Sequence, residues 1–340
     1  YEIYQCDWSS DVCSSDLDNY GSIKRLPNKF PLKYRMSKIK IYQSYYLDEQ
    51  KQFLMPEFTP LDNTDNPAPR LREFYLNTKV YHMAVAEGLD YWGHFSWKYK
   101  EKMESQSGGM PRSDIFKVFT NYPNCDVYFF NPFGMQESLT YNMWEQGQWS
   151  HRYIIPIMFE LLPAMGIDPN IIYQPQDQTM MCWASNFVAN KKFWDEFLPF
   201  CKSYFDTIPL LRDQIQAMHA STSGYGIDKN LDHFPFIHER LFSLFLQVNR
   251  NRFRIAGYQH GFVNLGNENL RNLKSKAIRE GNVEALQEFL DIRKHAIGNQ
   301  KDYGSQWIKH FEPTRDPQSY FDIYYELNGG RPVTITIKNT

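Results

Sequence analysis

The chain has 340 residues, with 37 Lys and Arg against 39 Asp and Glu, a formal net charge of -2 and 16% aromatic residues. This charge argues against nucleic acid as the main partner, because phosphate recognition usually leaves a strong basic excess. No apolar run approaches the roughly 18 residues of a membrane span, so we expect no transmembrane segment. Of the 5 cysteines, those beyond residue 35 are scattered, which favours a reducing compartment over a disulfide framework.

The start of the chain is unlike a native N-terminus. Residues Asp7 to Leu17, DWSSDVCSSDL, match the translation of a common sequencing-adapter primer at every position. A secretory signal would need a basic start, an apolar stretch of roughly 7–15 residues and a small-residue cleavage site, and none is present. We interpret residues 1–17 as an assembly artefact and expect Met36 to be the natural start. Residues 18–35 are then a non-native or disordered leader, or alternatively a real N-terminal segment.

From Met36 onward, strand and helix patterns alternate along the chain. Residues 38–46 alternate apolar and polar and predict a strand, residues 61–70 predict a loop, and residues 71–88 predict a helix that stops at Gly88. Further strands are predicted over 90–97, 126–133 and 180–189, and further helices over 115–122, 154–165, 191–205 and 238–249. This alternation predicts an α/β domain with a mostly parallel, Rossmann-like sheet flanked by helices, over residues 36–262.

The last part of the chain differs in pattern. Residues 268–297 are charged and have helical spacing, which predicts an amphipathic helix hairpin. The final residues, GRPVTITIKNT, predict one edge strand. We therefore expect a helical C-terminal appendage over 263–340 that packs on the domain or contacts a partner.

The first candidate site is the loop DNTDN, from Asp62 to Asn66. In an α/β sheet, ligands bind where loops meet at the carboxyl ends of the strands. Asp and Asn side chains at that edge can accept hydrogen bonds from ribose hydroxyls or a uracil ring. The same residues are also typical of a solvated turn in which side chains bond their own backbone. Spacing alone leaves both interpretations open.

The second candidate is the predicted strand YWGHFSWK, residues 91–98. Gly93 permits close approach by a ligand or by a neighbouring strand. His94 and Lys98 share one face of the strand, and Lys98 could neutralise a diphosphate. A lone histidine in a strand is more often structural than catalytic. Flat apolar surfaces for a sugar or a base come from Trp92 and Trp97.

The third candidate is the triplet His238-Glu239-Arg240, which opens an otherwise apolar helix. Charges at such a place usually need a partner. Arg240 could clamp a phosphate through two hydrogen bonds, and Glu239 could orient it or act as a base. Alternatively, a buried Glu–Arg pair merely fixes the helix, and such a pair is weak evidence for either role.

The order of five motifs resembles bacterial capsule and surface-polysaccharide glycosyltransferases with a GT-A-like domain: DNTDN, LREFYLNTKVYHMA, DYWGHFSWKYKEKM, SNFVANKKFWDEF and FIHERLFSLFL. The similarity covers roughly Lys38 to Gln259 and is one of pattern. It implies a nucleotide-sugar donor, a glycan or lipid-linked acceptor, and a cytoplasmic location that is either free or peripheral to the inner membrane. The family's basic His-Tyr-Arg-Arg run is replaced by Ser96-Trp97-Lys98-Tyr99, and a clear Asp-x-Asp pair is missing, which leaves the use of Mn²⁺ or Mg²⁺ open.

The resemblance implies roles for individual residues. The residues expected to hold the nucleoside are Asp62, Asn63, Asp65 and Asn66. Those expected near the diphosphate, the sugar or the base are Lys98, Arg240, Trp92 and Trp97. Further expected substrate contacts are Arg72, His94 and His238. Asp177 and Glu239 are the candidate general bases for the acceptor hydroxyl.

Two other functions are compatible with the sequence. The fold could serve as a non-catalytic carbohydrate- or nucleotide-binding module of a polysaccharide-assembly system, as the thinned basic motif suggests. A glycoside hydrolase is the weaker alternative, because it needs two carboxylates that flank a cleft and the sequence suggests no such pair.

Overall fold

The computed structural model describes residues 3–6, 38–105, 114–151, 153–221, 232–250, 252–259 and 265–297. These residues form an α/β fold in which one mixed sheet is covered by helices. The N-terminal leader and the predicted final edge strand lie outside the described residues.

The described part of the chain forms a sheet of seven strands in the spatial order β1-β7-β5-β6-β4-β2-β3. The strands are β1 Ile3–Cys6, β2 Ile39–Tyr45, β3 Thr59–Asp62, β4 Tyr91–Ser96, β5 Val127–Asn131, β6 Phe187–Asn190 and β7 Ile255–Gln259. Strand β2 pairs in parallel with β3 and β4, β5 pairs in parallel with β7, and β6 lies antiparallel between β4 and β5. The short β1, from the segment interpreted as an artefact, pairs antiparallel with β7 at the outer edge. The predicted α/β class and mostly parallel strand direction are thus confirmed.

Helices occupy the connections between the strands. Their bounds are α1 Arg72–Glu87, α2 Tyr99–Ser105, α3 Asp114–Asn121, α4 Gly134–Leu139, α5 Met143–Ser150, α6 Ile154–Ala164, α7 Lys191–Thr207, α8 Asp213–Ala220, α9 Phe234–Val248, α10 Leu265–Glu280 and α11 Val283–Ile297. The predicted helix over 71–88 is confirmed as α1, and Gly88 closes it in the left-handed conformation that glycine adopts without strain.

Alternation along the strands divides the core between the two faces of the sheet. Trp92, Val127 and Phe129 belong to the larger cluster, which also holds residues of α1, α6, α7 and α9. Phe95 and Tyr128 belong to the smaller cluster, together with residues of α2 and α3. The sheet is therefore buried on both faces, which leaves its strand ends as the place where a ligand can reach it.

Two predicted elements differ from the structure. The loop predicted from Leu61 begins later, because Thr59–Asp62 forms the outermost strand β3, an edge position that tolerates Pro60. The strand predicted over 180–189 is reduced to β6, and Trp183–Ser185 forms a 3₁₀ turn instead. Met181 and Cys182, which precede that turn, are buried, so their apolar character reflects burial and not strand pairing.

The two C-terminal helices are integral to the core. Leu270, Phe289 and Leu290 belong to the larger hydrophobic cluster. Three buried cations, Arg271, Lys274 and Arg293, reach from the hairpin into α4 and α5. The described part of the predicted appendage is therefore packed on the α/β core by both apolar and ionic contacts.

Among the described residues, none of the helices combines the length and the apolar character that crossing a membrane requires.

Candidate functional site

One polar pocket of the described residues lies at the carboxyl edge of the sheet, and we call it the carboxyl-edge pocket. It forms where β4 ends, β6 begins, and the first turns of α1 and α9 approach each other. Its volume is about 150 Å³. The lining residues are Glu73, Asn77, His94, Ser96, Lys102, Ala184, Ser185, Pro235, Phe236 and Glu239. Strand β6 lies antiparallel between β4 and β5, so the order and direction of the strands change beside this pocket. Ligands of α/β sheets bind at such a change in strand order.

Two carboxyl groups from distant parts of the chain face the pocket. Glu73 comes from the first turn of α1 and Glu239 from the second turn of α9. Glu73 is half-buried as a residue, but its Oε2 atom is buried and has no hydrogen-bond partner. Burial raises the pKa of Glu73, and the charge of Glu239 raises it further, whereas Lys102 and Arg72 oppose the shift. A desolvated carboxyl beside a second carboxyl is typical of a functional site.

His94 and Lys102 supply the other titratable groups of the pocket. His94 is buried at the end of β4, and its Nε2 lies 2.8 Å from the Ser44 hydroxyl oxygen of β2. Burial lowers the pKa of His94 to about 4, so the ring is neutral near pH 7. A neutral ring fixed by Ser44 can hydrogen-bond a ligand but carries no charge to a phosphate. Lys102 of α2 is thus the lining residue that carries a positive charge.

The backbone is strained at the wall of the pocket. Ala184 (φ 68°) and Ser185 (φ 48°) are consecutive non-glycine residues in the left-handed region. This conformation costs roughly 1–2 kcal/mol per residue for an L-amino acid. The Ser185 hydroxyl donates to the backbone oxygen of Glu239 at 3.0 Å and so ties this turn to α9. Strain that the surrounding fold maintains is common where a site must be held in shape.

The DNTDN loop follows β3 and is largely a turn. Asp62 accepts hydrogen bonds from the Thr64 backbone N–H at 2.9 Å and from the Tyr45 hydroxyl at 2.8 Å. Bonds from Thr64 and Tyr45 lower the pKa of Asp62 to about 2. Asn66 accepts from the Ala68 N–H at 2.8 Å. The turn interpretation is therefore correct for Asp62 and Asn66.

The other two residues of the loop differ from each other. Asp65 is exposed. Asn63 is buried, and neither its amide nitrogen nor its amide oxygen has a hydrogen-bond partner. A buried unpaired amide is costly. Asn63 is thus the member of this loop whose buried side chain has unused hydrogen-bonding capacity.

The second predicted group is divided by the structure. Trp92 is fully buried, between Tyr81 and Trp194, so it contributes to the core and has no surface for a ligand. Gly93 serves the neighbouring strand, because a side chain there would collide with the Phe187 carbonyl oxygen of β6. His94 lines the pocket, as described above.

Trp97 and Lys98 follow the pocket residue Ser96 directly in the chain. Trp97 is half-buried, with the Phe53 ring centroid at 5.6 Å and the Lys98 ammonium 5.1 Å from its own ring centroid. Lys98 is exposed. Both residues are therefore close to the pocket in sequence, but they do not line it.

Of the third predicted group, Glu239 alone lines the pocket. Arg240 is buried and its guanidinium donates to Met143 O at 3.1 Å, to Phe236 O at 2.7 Å and to Gln146 Oε1 at 2.5 Å. Gly147 makes room for it, because a Cβ there would lie 2.7 Å from the Arg240 Nε. The predicted phosphate clamp thus instead connects α9 to α5, and its partners are mostly backbone oxygens.

His238 and Arg72 also lie outside the pocket lining. His238 is buried near the rings of Phe74, Phe205 and Phe234, and neither of its ring nitrogens has a hydrogen-bond partner. Arg72 is exposed at the start of α1, with φ 45°. Its proximity to Glu73 is the reason that it acts on the pKa of that carboxyl.

Asp177 is fully engaged by its neighbours. It accepts from Thr179 N at 3.0 Å, from Thr179 Oγ1 at 2.6 Å and from Ser275 Oγ of α10 at 2.9 Å. It is buried and is not among the residues that line the pocket. These contacts favour a structural role, so Glu239 is the stronger of the two candidate bases.

Sequence reasoning missed Glu73 and Lys102. Glu73 is one of several polar residues in the helix predicted over 71–88, and Lys102 lies just after the Ser96-Trp97-Lys98-Tyr99 run. No local pattern marks them, because α1, α2 and α9 come together only in the folded chain. The available signal was an acidic residue in the first turn of a helix that follows a loop at a strand end.

No group of three or more His, Cys, Asp or Glu side chains within the described residues is arranged to hold a metal ion. The pocket offers two carboxyl groups, which is an incomplete set for a divalent cation. The described residues therefore do not fit a metal site, and no chemical step below passes through a metal.

Comparison with protein-family models, curated proteins and solved structures finds no match to this chain.

Proposed function

We propose that the protein is a glycosyltransferase that moves a sugar from a nucleotide-sugar donor to a surface-polysaccharide or other glycan acceptor. The observation that carries this proposal is the carboxyl-edge pocket. It combines a candidate base, Glu239, a second carboxyl, Glu73, and a cation, Lys102, at the ligand-binding edge of an α/β sheet. The order of the sequence motifs and the mostly parallel sheet support a GT-A-like assignment of the domain.

In the proposed reaction, the Glu239 carboxylate removes the proton of an acceptor hydroxyl. The hydroxyl oxygen forms a bond to the anomeric carbon of the donor, and the bond from that carbon to the diphosphate oxygen breaks. Lys102, together with the positive ends of the α1 and α9 dipoles, stabilises the negative charge on the departing diphosphate. His94 and Ser96 offer hydrogen bonds that orient the sugar ring.

The remaining roles of the proposal lie around the pocket. Asn63, with an unpaired buried amide at the end of β3, is the proposed contact to the nucleoside. Trp97 and Lys98 are proposed contacts for the acceptor or the diphosphate beside Ser96. The reaction suits the cytoplasmic side of a cell, where nucleotide sugars are used, and a glycan or lipid-linked acceptor at the inner membrane.

A glycoside hydrolase is the second candidate, and a specific observation favours it. The sequence suggested no paired acids, but the structure brings Glu73 and Glu239 to one pocket. A pair of carboxyl groups, one acting as acid and the other as base or nucleophile, hydrolyses a glycosidic bond. In that reaction, the protonated carboxyl gives its proton to the leaving oxygen and the ionised one activates water or attacks the sugar.

A thermal-shift screen of protein starting at Met36 tests the proposal. The ligands are UDP-, GDP-, CMP- and dTDP-sugars, each with Mn²⁺, with Mg²⁺ and with EDTA. A ligand that binds only the folded state raises its apparent stability by mass action, by about 2.7 kcal/mol at 100 times its Kd. A shift with one donor class that is lost in Glu239→Lys supports the transferase and identifies the nucleotide. A shift that also needs the cation assigns a metal requirement.

Two other outcomes contradict the transferase. Release of nitrophenol from nitrophenyl glycosides, without any shift by nucleotide sugars, would favour the hydrolase. A shift with a nucleotide or glycan, but no turnover with any acceptor or water, would favour the non-catalytic binding module.

A further inference from the structure

We propose that the carboxyl-edge pocket takes a neutral or amino-bearing sugar ring and rejects an acidic one such as a uronic or sialic acid. This inference rests on the proposed function, because it assigns the chemical class of the sugar at that same site. It also goes beyond that function, because transfer from a nucleotide donor by itself does not fix the charge of the sugar.

The unpaired oxygen of Glu73 indicates what kind of group the pocket lacks. Oε2 is buried, and no donor of the described residues reaches it. Such an atom is satisfied when a ligand brings a hydrogen-bond donor to it. Sugar hydroxyls and ammonium groups donate hydrogen bonds, whereas an ionised carboxylate only accepts them. The pocket is therefore complementary to a ring that presents hydroxyl or amino groups.

The charges of the lining lead to the same class of ligand. Two carboxyl groups, Glu73 and Glu239, face a single lining cation, Lys102. In a nucleotide sugar the diphosphate already carries negative charge, and Lys102 is the lining residue that can oppose that charge. A second negative group on the sugar would then meet the carboxyl side of the pocket. Like charges placed together in an interface are strongly unfavourable.

The size and the neutral lining of the pocket complete the argument. A volume of about 150 Å³ is below the roughly 300–1,000 Å³ of sites that enclose a whole ligand. The pocket therefore suits one ring, with the nucleotide outside it. Asn77, Ser96 and Ser185 add amide and hydroxyl groups to the wall, and these exchange hydrogen bonds with sugar hydroxyls.

Isothermal titration calorimetry with matched donors tests the inference on the full chain. The pairs are UDP-glucose with UDP-glucuronate, UDP-galactose with UDP-galacturonate, and GDP-mannose with GDP-mannuronate. Within a pair, the nucleotide is the same and only the charge at C6 differs. Wherever a pair binds, we expect the Kd of the neutral member to be about tenfold or more lower than that of the acidic member. The reason is that the added carboxylate would face the carboxyl groups of the pocket, and like charges repel.

Variants show whether the pocket causes the preference. Glu73→Gln and Glu239→Gln each replace an ionisable carboxyl by a neutral amide of the same shape, so each should lower the ratio of the two dissociation constants. Glu57→Gln is the matched control, because Glu57 is exposed and outside the lining, and it should leave the ratio unchanged. Asn77→Asp adds a carboxyl to the wall and should raise the ratio, which keeps the test decisive if a glutamine variant fails to fold.

The possible failures are distinguishable. An acidic member that binds as tightly as its neutral counterpart, or more tightly, overturns the inference and leaves the transferase in place. Equal ratios in wild type and in all pocket variants also overturn it, because the preference would then arise elsewhere. If neither these six donors nor any nucleotide sugar of the thermal-shift screen binds, the proposed function itself falls and the inference falls with it.

Discussion

Two regions of this protein bury carboxyl groups, and they treat these groups in opposite ways. Where the hairpin of α10 and α11 meets the core, Glu137 lies 2.6 Å from Arg271 and 3.0 Å from Lys274, and Glu145 lies 2.7 Å from Arg293. In the carboxyl-edge pocket, the neighbour of Glu73 is instead a second carboxyl, Glu239, whose charge raises the pKa that burial has already raised.

This difference distinguishes buried carboxylates that are paired with a cation from buried carboxyl groups that are not. A buried carboxylate with a cation against it fixes one packing arrangement and is strongly destabilising only when its partner is removed. A buried carboxyl without a partner costs stability in the free protein, and that cost is offset when a ligand supplies the missing hydrogen bond. The ion pairs of the hairpin therefore stabilise one packing arrangement, whereas the carboxyl groups of the pocket are the ones for which we propose a role in binding a ligand.

The largest expected effect is on the structural side, in Arg293→Met. This change leaves Glu145 buried without its cation, so the free energy of unfolding should fall by about 3–5 kcal/mol. Chemical denaturation measures it. The control is Lys202→Met, which breaks an exposed pair with Asp206 and should change stability by no more than about 1 kcal/mol.

The opposite result is expected for a carboxyl on the pocket side. Glu73→Gln removes a desolvated carboxyl group and keeps the side-chain shape, so the free energy of unfolding should be unchanged or higher at neutral pH. The pKa of Glu73 is raised in the fold, so the stability that this group contributes is present at low pH and is lost as the pH rises. Equal losses in Arg293→Met and Glu73→Gln would abolish the distinction between the two regions.

The next effect is on the rate of sugar transfer. Glu239→Gln removes the proposed base, and general bases contribute typically about 10²–10⁴-fold, so the transfer rate should fall by at least about 100-fold. The measurement is the initial rate with the donor identified in the thermal-shift screen, alongside the free energy of unfolding. Asp177→Asn serves as the comparison, and a larger rate loss there than in Glu239→Gln would return Asp177 to the role of base.

Buried histidines extend the comparison to acid stability. Burial lowers the pKa of His94 to about 4, of His151 to about 2, of His219 to about 3 and of His238 to about 4. The ordinary value is about 6.5, so between that pH and the folded pKa the unfolded chain binds protons that the folded chain does not. Stability should therefore be full above about pH 6.5 and fall steadily toward pH 4.

His238→Phe isolates one of these groups. The ring nitrogens of His238 have no hydrogen-bond partner and its neighbours are phenylalanines, so the replacement loses no polar contact. At pH 5 the variant should be about 2 kcal/mol more stable relative to wild type than it is at pH 8. Denaturation curves at both pH values measure this. His219→Phe is the contrast, because it also loses the 2.8 Å hydrogen bond to the Tyr204 hydroxyl and should be destabilised at both values.

The smallest expected effect concerns the strained turn of the pocket. Ala184→Gly relieves a left-handed conformation and should raise the free energy of unfolding by about 1 kcal/mol. Ala86→Gly, at an exposed position of α1, should instead lower it by about 1 kcal/mol. If Ala184→Gly destabilises the protein as much as Ala86→Gly does, the turn stores no strain.

Much of the fold could be read from local patterns. Alternation over 38–46 and helical spacing over 71–88 and 191–205 predicted β2, α1 and α7, because a side chain's exposure in a regular element follows the period of that element. The strand prediction over 180–189 was wrong for its first part, because a buried turn is as apolar as a buried strand. The short β3 was missed because four residues carry too little periodicity.

The sequence by itself determined the α/β class, most of the helices and strands, and the candidacy of His94 and Glu239, because these depend on local periodicity and residue chemistry. Only the tertiary structure decided which charges are paired. In the folded chain, the Arg293 guanidinium donates to Glu145, 148 residues away, and the Arg240 guanidinium donates to backbone oxygens of α5 and α9. The tertiary structure also brought Glu73 to Glu239 and left their pocket open to a ligand. Pairing is a property of distance in space, and a linear pattern of residues does not contain that distance.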